Sequence, residues 1–179
     1  LNDDTPSKYQ DVRIVKDNYR THRIPEVSKA NLNDELTLGG WIASIRDHGE
    51  LVFIDLRDAS NEVFQVRVTR DEIEDIDDIA KLKDESVITV KGKIIERSAD
   101  DVNPNTRTGG IELVANHIDV LNVSKNLPFE IKKADKTNES VRMEYKFLDN
   151  RNQSTKKAII NRHKVIKLIR DGLDEQNFI

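Results

Sequence analysis

At 179 residues the chain is long enough for one packed domain and a smaller appendage, and with 36% hydrophobic and 35% charged residues it is more polar than an average globular domain. It contains no cysteine, which excludes disulfides and thiolate metal sites and fits a reducing, cytoplasmic setting; no apolar run approaches the ~20 residues of a membrane span. The net charge of −4 argues mildly against a generic nucleic-acid binder, but six carboxylates fall within the eight residues 71–78, a run expected on a solvated helix face, so the opposite surface is unconstrained.

Residues 1–20 are polar, lack a period and carry no basic-then-apolar signal pattern, so they read as a loose N-terminal tail. The absence of an initial Met and the abrupt end at Asn177-Phe178-Ile179 lead to the expectation that more chain exists on both sides. From Glu35, Leu36, Leu38, Gly40 and Ile42 alternate with Thr37, Gly39, Trp41 and Ala43, the two-residue period of a strand. Gly39-Gly40 inside it predicts a bulge or sharp bend, as a sheet curling into a barrel needs. After a turn at Asp47–Glu50, Leu51–Arg57 forms a second strand; after Asp58–Asn61, Val63–Val68 forms a third, rich in β-branched residues. The period then changes: Ile73, Ile76, Ile79, Ala80 and Leu82 predict an amphipathic helix over Arg70–Lys83. Strand pattern returns at Ser86–Ile95, a polar loop fills Arg97–Gly110, and the last strand runs from Ile111 through Ile118 to Leu121.

Three strands, a helix and two strands form the layout of the five-stranded OB barrel, which often binds oligonucleotides on one face. The fold class is therefore mainly β, with domain limits at 21–122 for the barrel and 123–154 for a polar hinge or linker. Thr155–Asn177 carries Ala158, Ile159, Val165, Ile166, Ile169 and Leu173 at helical spacing, with Gly172 weakening its end. A single amphipathic helix cannot bury its own stripe and needs a partner.

No catalytic constellation is present. His22, His48, His117 and His163 are scattered without metal-ligand spacing, and no phosphate-cradling loop occurs. Asp55, Arg57 and Asp58 are explained by a salt-bridged barrel rim more simply than by acid–base chemistry. Arg46, Phe53 and Gln65 lie on strands that an antiparallel sheet makes neighbours. An aromatic ring, an amide and a guanidinium suit unpaired bases: stacking, edge hydrogen bonds and phosphate contact. Gln65 sits between Phe64 and Val66 and so faces opposite them. Phe53 stays open between core and base platform, since Leu51 shares its face while Val52 and Ile54 take the other.

These residues carry a resemblance. Gly40-Trp41-Ile42, Arg46-Asp47-His48-Gly49, Phe53-Ile54-Asp55-Leu56-Arg57-Asp58 and Phe64-Gln65-Val66 resemble the anticodon-binding domain of bacterial-type aspartyl-tRNA synthetases. Tyr19-Arg20-Thr21-His22, Val102-Asn103-Pro104-Asn105, Thr108-Gly109-Gly110-Ile111-Glu112-Leu113, Leu127-Pro128-Phe129 and Tyr145–Asp149 extend the likeness, and Arg162–Ile179 resembles the long helix of class II motif 1. The Asn-Pro-Asn loop with Thr-Gly-Gly-Ile-Glu and the Leu-Pro-Phe hinge favour the aspartyl branch over lysyl and asparaginyl relatives.

The resemblance implies that residues 155–179 begin an otherwise absent α/β class II catalytic domain. It implies no catalytic residue, metal or cofactor within this chain, while the full enzyme would use ATP and Mg2+ to charge tRNA(Asp), either alone or together with tRNA(Asn), as a cytoplasmic homodimer. Phe53 would stack on an anticodon base, the central uridine foremost, and Gln65 would hydrogen-bond to it; Arg46 and Glu112 would contact the flanking bases. The chain departs from the pattern at Ser44-Ile45 before Arg46, at the extra residue in Ser60-Asn61, at Gly110 where an acid is common, and at Asn150 and Asn152. Arg67 stands where an aromatic is frequent, and the resemblance implies that its cation would exchange stacking for phosphate contact. The alternatives are a free-standing OB-fold single-strand binder, the equivalent domain of a lysyl or asparaginyl relative, and an enzyme complete within these residues.

Overall fold

A computed structural model describes residues 19–178, so all but the last two residues of the expected 1–20 tail lie outside the described residues. Two compact units divide the chain between Lys125 and Asn126.

The first unit is a closed five-stranded barrel. Its strands are β1 (Glu35–Asp47), β2 (Leu51–Arg57), β3 (Val63–Thr69), β4 (Val87–Glu96) and β5 (Ile111–Asn122), ordered β1-β2-β3-β5-β4. All neighbours are antiparallel except β3 and β5, which close the barrel in parallel at Val66–Leu113 and Arg67–Val114. Alternation sends Val52, Ile54 and Leu56 of β2 and Phe64, Val66 and Val68 of β3 into the core, beside Ile88, Val90, Ile94 and Leu113.

The first strand changes phase part-way. Ile42 pairs with Leu56 but Ser44 pairs with Asp55, so Ala43 is an extra residue and both Ile42 and Ala43 are buried. Even-numbered residues point inward before this bulge and outward after it. Arg46 is thereby turned to the outer face, directly across from Phe53. The bulge expected at Gly39-Gly40 lies three residues later. Gly40 answers a different need, since a Cβ there would stand 2.4 Å from the Arg57 carbonyl oxygen. A second bulge at Asn116, between the pairs Lys91–His117 and Gly92–Ala115, resets β5 in the same way.

Between β3 and β4 the helix α1 covers only Ile76–Ala80, not the expected Arg70–Lys83. A helix through 71–78 would stack carboxylates at three- and four-residue spacing, which is destabilising, and aspartate is a weak helix former. Residues 70–75 instead form turns, with the amides of Glu72 and Ile73 donating to the Thr69 carbonyl. The apolar spacing keeps its purpose: Ile76 and Ile79 are buried, and Ile73, Ala80 and Leu82 pack against the same core. At the end of β2, Arg57 forms a buried ion pair with Glu85 at 2.6 Å.

The second unit, described by itself, contains a 3-10 run at Ile131–Lys136 and helices α2 (Glu139–Glu144), α3 (Lys146–Asp149) and α4 (Gln153–Asp174). The polar segment expected as a linker thus contains helical turns around a small core of Phe129, Ile131, Ala134 and Leu148; its polar residues are mostly exposed around those few apolar ones. Asp149 is fully buried and accepts from Arg142 Nε at 2.8 Å and Lys146 Nζ at 2.6 Å. Asn152 caps α4, accepting from the Ser154 amide at 2.9 Å while donating to the Ile131 carbonyl at 2.7 Å. The stripe of α4 is open, with Ile159, Val165, Ile166, Ile169 and Leu173 between 40% and 56% exposed.

Candidate nucleic-acid interface

The outer face of β1, β2 and β3 borders a cleft of about 380 Å³, and all five residues singled out in the sequence line it: Arg46, Phe53, Gln65, Arg67 and Glu112. The strand phases put them there. Val52 and Ile54 enter the core, so Phe53 stands on the outside, only partly buried; the choice between core and surface platform is settled for the surface. Gln65 and Arg67 flank the inward Val66 in the same way, as the alternation predicts. Glu112 comes from β5, forty-seven residues from Gln65 in sequence, and is brought alongside by barrel closure.

A continuous chain of polar contacts crosses the face. Ser44 Oγ donates to Asp55 at 2.8 Å, and Arg46 Nη2 donates to Asp55 Oδ1 at 3.0 Å and to Gln65 Oε1 at 3.1 Å. Gln65 Nε2 donates to Glu112 Oε2 at 2.8 Å, and Glu112 Oε1 pairs with Arg67 Nη1 at 3.2 Å. This fixes the Gln65 amide, because a flipped amide would set its oxygen against a carboxylate and its NH2 against a guanidinium. One Nε2 hydrogen and one Oε1 lone pair remain uncommitted in this network, so the amide can both donate to and accept from a further group. The Phe53 ring is bracketed by the Arg46 guanidinium, 5.9 Å from its centroid, and the edge of the His48 ring, at 5.8 Å.

Six further lining residues were not singled out in the sequence, His48, Leu51, Glu96, Arg97, Ser98 and Asp101. Leu51 and His48 flank Phe53 at the turn between β1 and β2, and Arg97 follows β4. Arg97 Nη1 donates to the Gly109 carbonyl at 3.1 Å, and its Nε lies 3.6 Å from Glu112. Only closure of the barrel shows that this loop arginine reaches the face. Asp55, read as a rim residue, also ties Arg46 and Ser44 together here. Arg57 and Asp58, expected on a salt-bridged rim, are both buried: Arg57 pairs with Glu85, and Asp58 accepts from the Ile24 amide at 3.2 Å. The acidic run is elsewhere, its Glu72, Glu74, Asp75 and Asp78 lining a separate groove with no residue in common with the cleft. Among the described residues no group of three or more His, Asp or Glu could hold a metal, and no helix is long and apolar enough to cross a membrane.

Comparison with known proteins meets this geometry. The model of the tRNA anti-codon family, described as an OB-fold nucleic acid binding domain, matches residues 36–121, the whole barrel almost end to end. Those residues form an anticodon-binding OB-fold domain. The chain is 44% identical over 161 residues to an aspartate–tRNA ligase of Lactobacillus johnsonii and 39% identical over 160 residues to an aspartate–tRNA(Asp/Asn) ligase of Natranaerobius thermophilus. Each alignment covers 89% of this chain but only 26% and 27% of the relative, so the chain spans about a quarter of their length. Among solved structures, an aspartyl-tRNA synthetase from Entamoeba histolytica superposes with a TM-score of 0.79 at 16% identity, covering 100% of this chain and 41% of that one. An asparaginyl-tRNA synthetase from Pyrococcus horikoshii superposes with a TM-score of 0.74 at 21% identity, covering 87% of this chain and 34% of that one. At such identities the structural likeness shows the fold, while the sequence matches bear out the resemblance to aspartyl-tRNA synthetases. The anticodon-binding OB-fold domain thus matches one region of these much longer ligases.

Proposed function

We propose that the barrel reads the anticodon of tRNA(Asp) through the β1–β2–β3 face. The observation that carries this reading is the orientation of Gln65, held by Arg46 and Glu112 with one donor and one acceptor to spare beside a surface phenylalanine. A uracil edge presents an N3–H donor next to a carbonyl acceptor, which complements that pair. The base stacks on Phe53, a contact worth about 1–3 kcal/mol. Arg46, half-exposed and already over the ring, supplies a cation to the neighbouring phosphate or base.

In this reading the protein is an aspartate–tRNA ligase, a homodimer acting in the cytoplasm, that activates aspartate with ATP and Mg2+ before transfer to tRNA. The chain spans about a quarter of the length of the ligases it matches, and this reading assigns the charging chemistry to the parts it does not match. The barrel contributes selection: it holds the anticodon of the correct tRNA. The segment 123–154 acts as the hinge, 21–122 as the anticodon domain, and 155–179 as the entry to the catalytic domain.

Replacing the central anticodon uridine of a tRNA(Asp) transcript with cytidine tests the role of Gln65. Cytosine reverses the donor and acceptor order, so binding should weaken about tenfold, the scale of one good base contact. Gln65→Leu should bind both transcripts with equal, lowered affinity. A Gln65→Leu protein that still prefers uridine would show that the amide does not read this base.

A further inference from the structure

Glu112 and Arg67 face the same cleft, but only one of them is open to a ligand. The Glu112 side chain is 6% exposed and the Arg67 side chain 34%. Both carboxylate oxygens are engaged: Oε1 by Arg67 Nη1 at 3.2 Å, and Oε2 by Gln65 Nε2 at 2.8 Å with Arg97 Nε at 3.6 Å. Arg67 spends one ion pair on Glu112, and its buried Nε has no hydrogen-bond partner. A guanidinium has five N–H donors and no acceptor, so uncommitted donors remain. Arg67 also stands directly opposite Phe53 in the β2–β3 register, within reach of whatever lies beside a base on that ring.

We propose that Arg67 determines the base next to the one stacked on Phe53, selecting guanine through its O6 and N7 acceptors, and that Glu112 is a positioning residue for Arg67 and Gln65. This rests on the anticodon-reading assignment and deepens it. A donor-only fork recognises two adjacent acceptors; guanine presents O6 and N7, whereas adenine replaces O6 with an amine. A carboxylate reading the same base would instead need its N1–H and 2-amino donors. Closed in by two arginines and an amide, Glu112 is placed to aim the fork rather than to receive the base. Arg67, expected from sequence as a phosphate contact, becomes a specificity determinant, and Glu112 moves behind it.

Two altered bases separate these roles, because inosine lacks only the 2-amino group of guanine and 7-deazaguanine lacks only N7. The probe is an RNA stem–loop carrying guanosine, uridine and cytidine in succession, the complement of an aspartate codon, with Kd read by fluorescence anisotropy. Inosine in place of guanosine should leave Kd within about twofold, and 7-deazaguanosine should weaken it about tenfold. Arg67→Met should abolish the 7-deazaguanosine penalty. Arg67→Lys, which keeps the charge but not the fork, should retain the salt dependence and lose that penalty. Glu112→Gln should weaken guanosine and inosine loops equally. An inosine penalty equal to or larger than the 7-deazaguanosine penalty overturns the inference. If Phe53→Ala still weakens the guanosine loop in that case, the anticodon-reading face stands and only the role of Arg67 fails; if Phe53→Ala has no effect, both fail.

Discussion

The buried pair Arg57–Glu85 offers a stability test of the barrel that does not involve its ligand. Its N–O distance is 2.6 Å, and the two side chains are 8% and 5% exposed. The Arg57 guanidinium also lies 5.8 Å from the Trp41 ring centroid. Arg57→Met keeps the aliphatic volume but strips that guanidinium from a buried carboxylate. Breaking one side of such a pair costs about 3–5 kcal/mol, because the remaining charge stays desolvated. Glu85 adds a second quantity, since it sits at φ 68°, a left-handed backbone that costs a non-glycine residue about 1–2 kcal/mol. Glycine at 85 removes the charge and that strain together. The double variant Arg57→Met/Glu85→Gly should therefore recover most of what Arg57→Met loses. For a unit of this size the single change should lower Tm by at least about 12 °C, read by circular dichroism melting and by urea titration. A loss below about 1 kcal/mol for Arg57→Met, or a double variant no more stable than the single, would refute the assignment of this pair as a coupled structural element.

Three changes elsewhere have defined outcomes. The Asp149 carboxyl is lowered from its ordinary range: burial alone would raise it, but hydrogen bonds and charge from Lys146 and Arg142 outweigh that effect. Its contribution to stability is therefore present above the ordinary value near about 4 and lost as pH falls through the lower folded value. The urea midpoint of the helical signal should fall with acidification in that window, and Asp149→Asn should flatten the dependence. Gly92→Ala should destabilise the barrel by about 3 kcal/mol or more, because its Cβ would stand 2.0 Å from the Val114 carbonyl oxygen at the β4–β5 bulge. Gly172→Ala meets nothing within 4 Å and should stabilise α4 by about 1 kcal/mol, seen as added helical ellipticity.

The barrel was legible in the sequence because its strands have a clean period. Phe64-Gln65-Val66 alone separates an inner from an outer face, and the structure keeps that separation. The period fails where a single residue is inserted. Ala43 carries no special chemistry, yet its bulge decides that Arg46 points outward; the glycines nearby attracted the expectation because glycine is the usual marker of such bends. The α1 boundary failed for another reason: apolar spacing registers which residues reach the core but is blind to carboxylates repelling along the same turns. In the site, Arg46, Phe53 and Gln65 could be grouped from adjacent strands, and Glu112 and Arg67 were placed through family resemblance. Arg97 and the burial of Glu112 could not be read, since both depend on the parallel closure of β3 onto β5, which leaves no local pattern. The segment 126–152 misled because polar residues outnumber the few that form its small core.

The central claim is that the Phe53 face holds an anticodon. Its most direct measurement is the affinity of tRNA(Asp) for the intact protein and for Phe53→Ala, each across a salt series. The account predicts that Phe53→Ala raises Kd by about 5- to 150-fold, the equivalent of losing one stacked base, while the slope of log K against log salt stays unchanged because no phosphate contact is removed. Equal affinities for tRNA in the two proteins would contradict it.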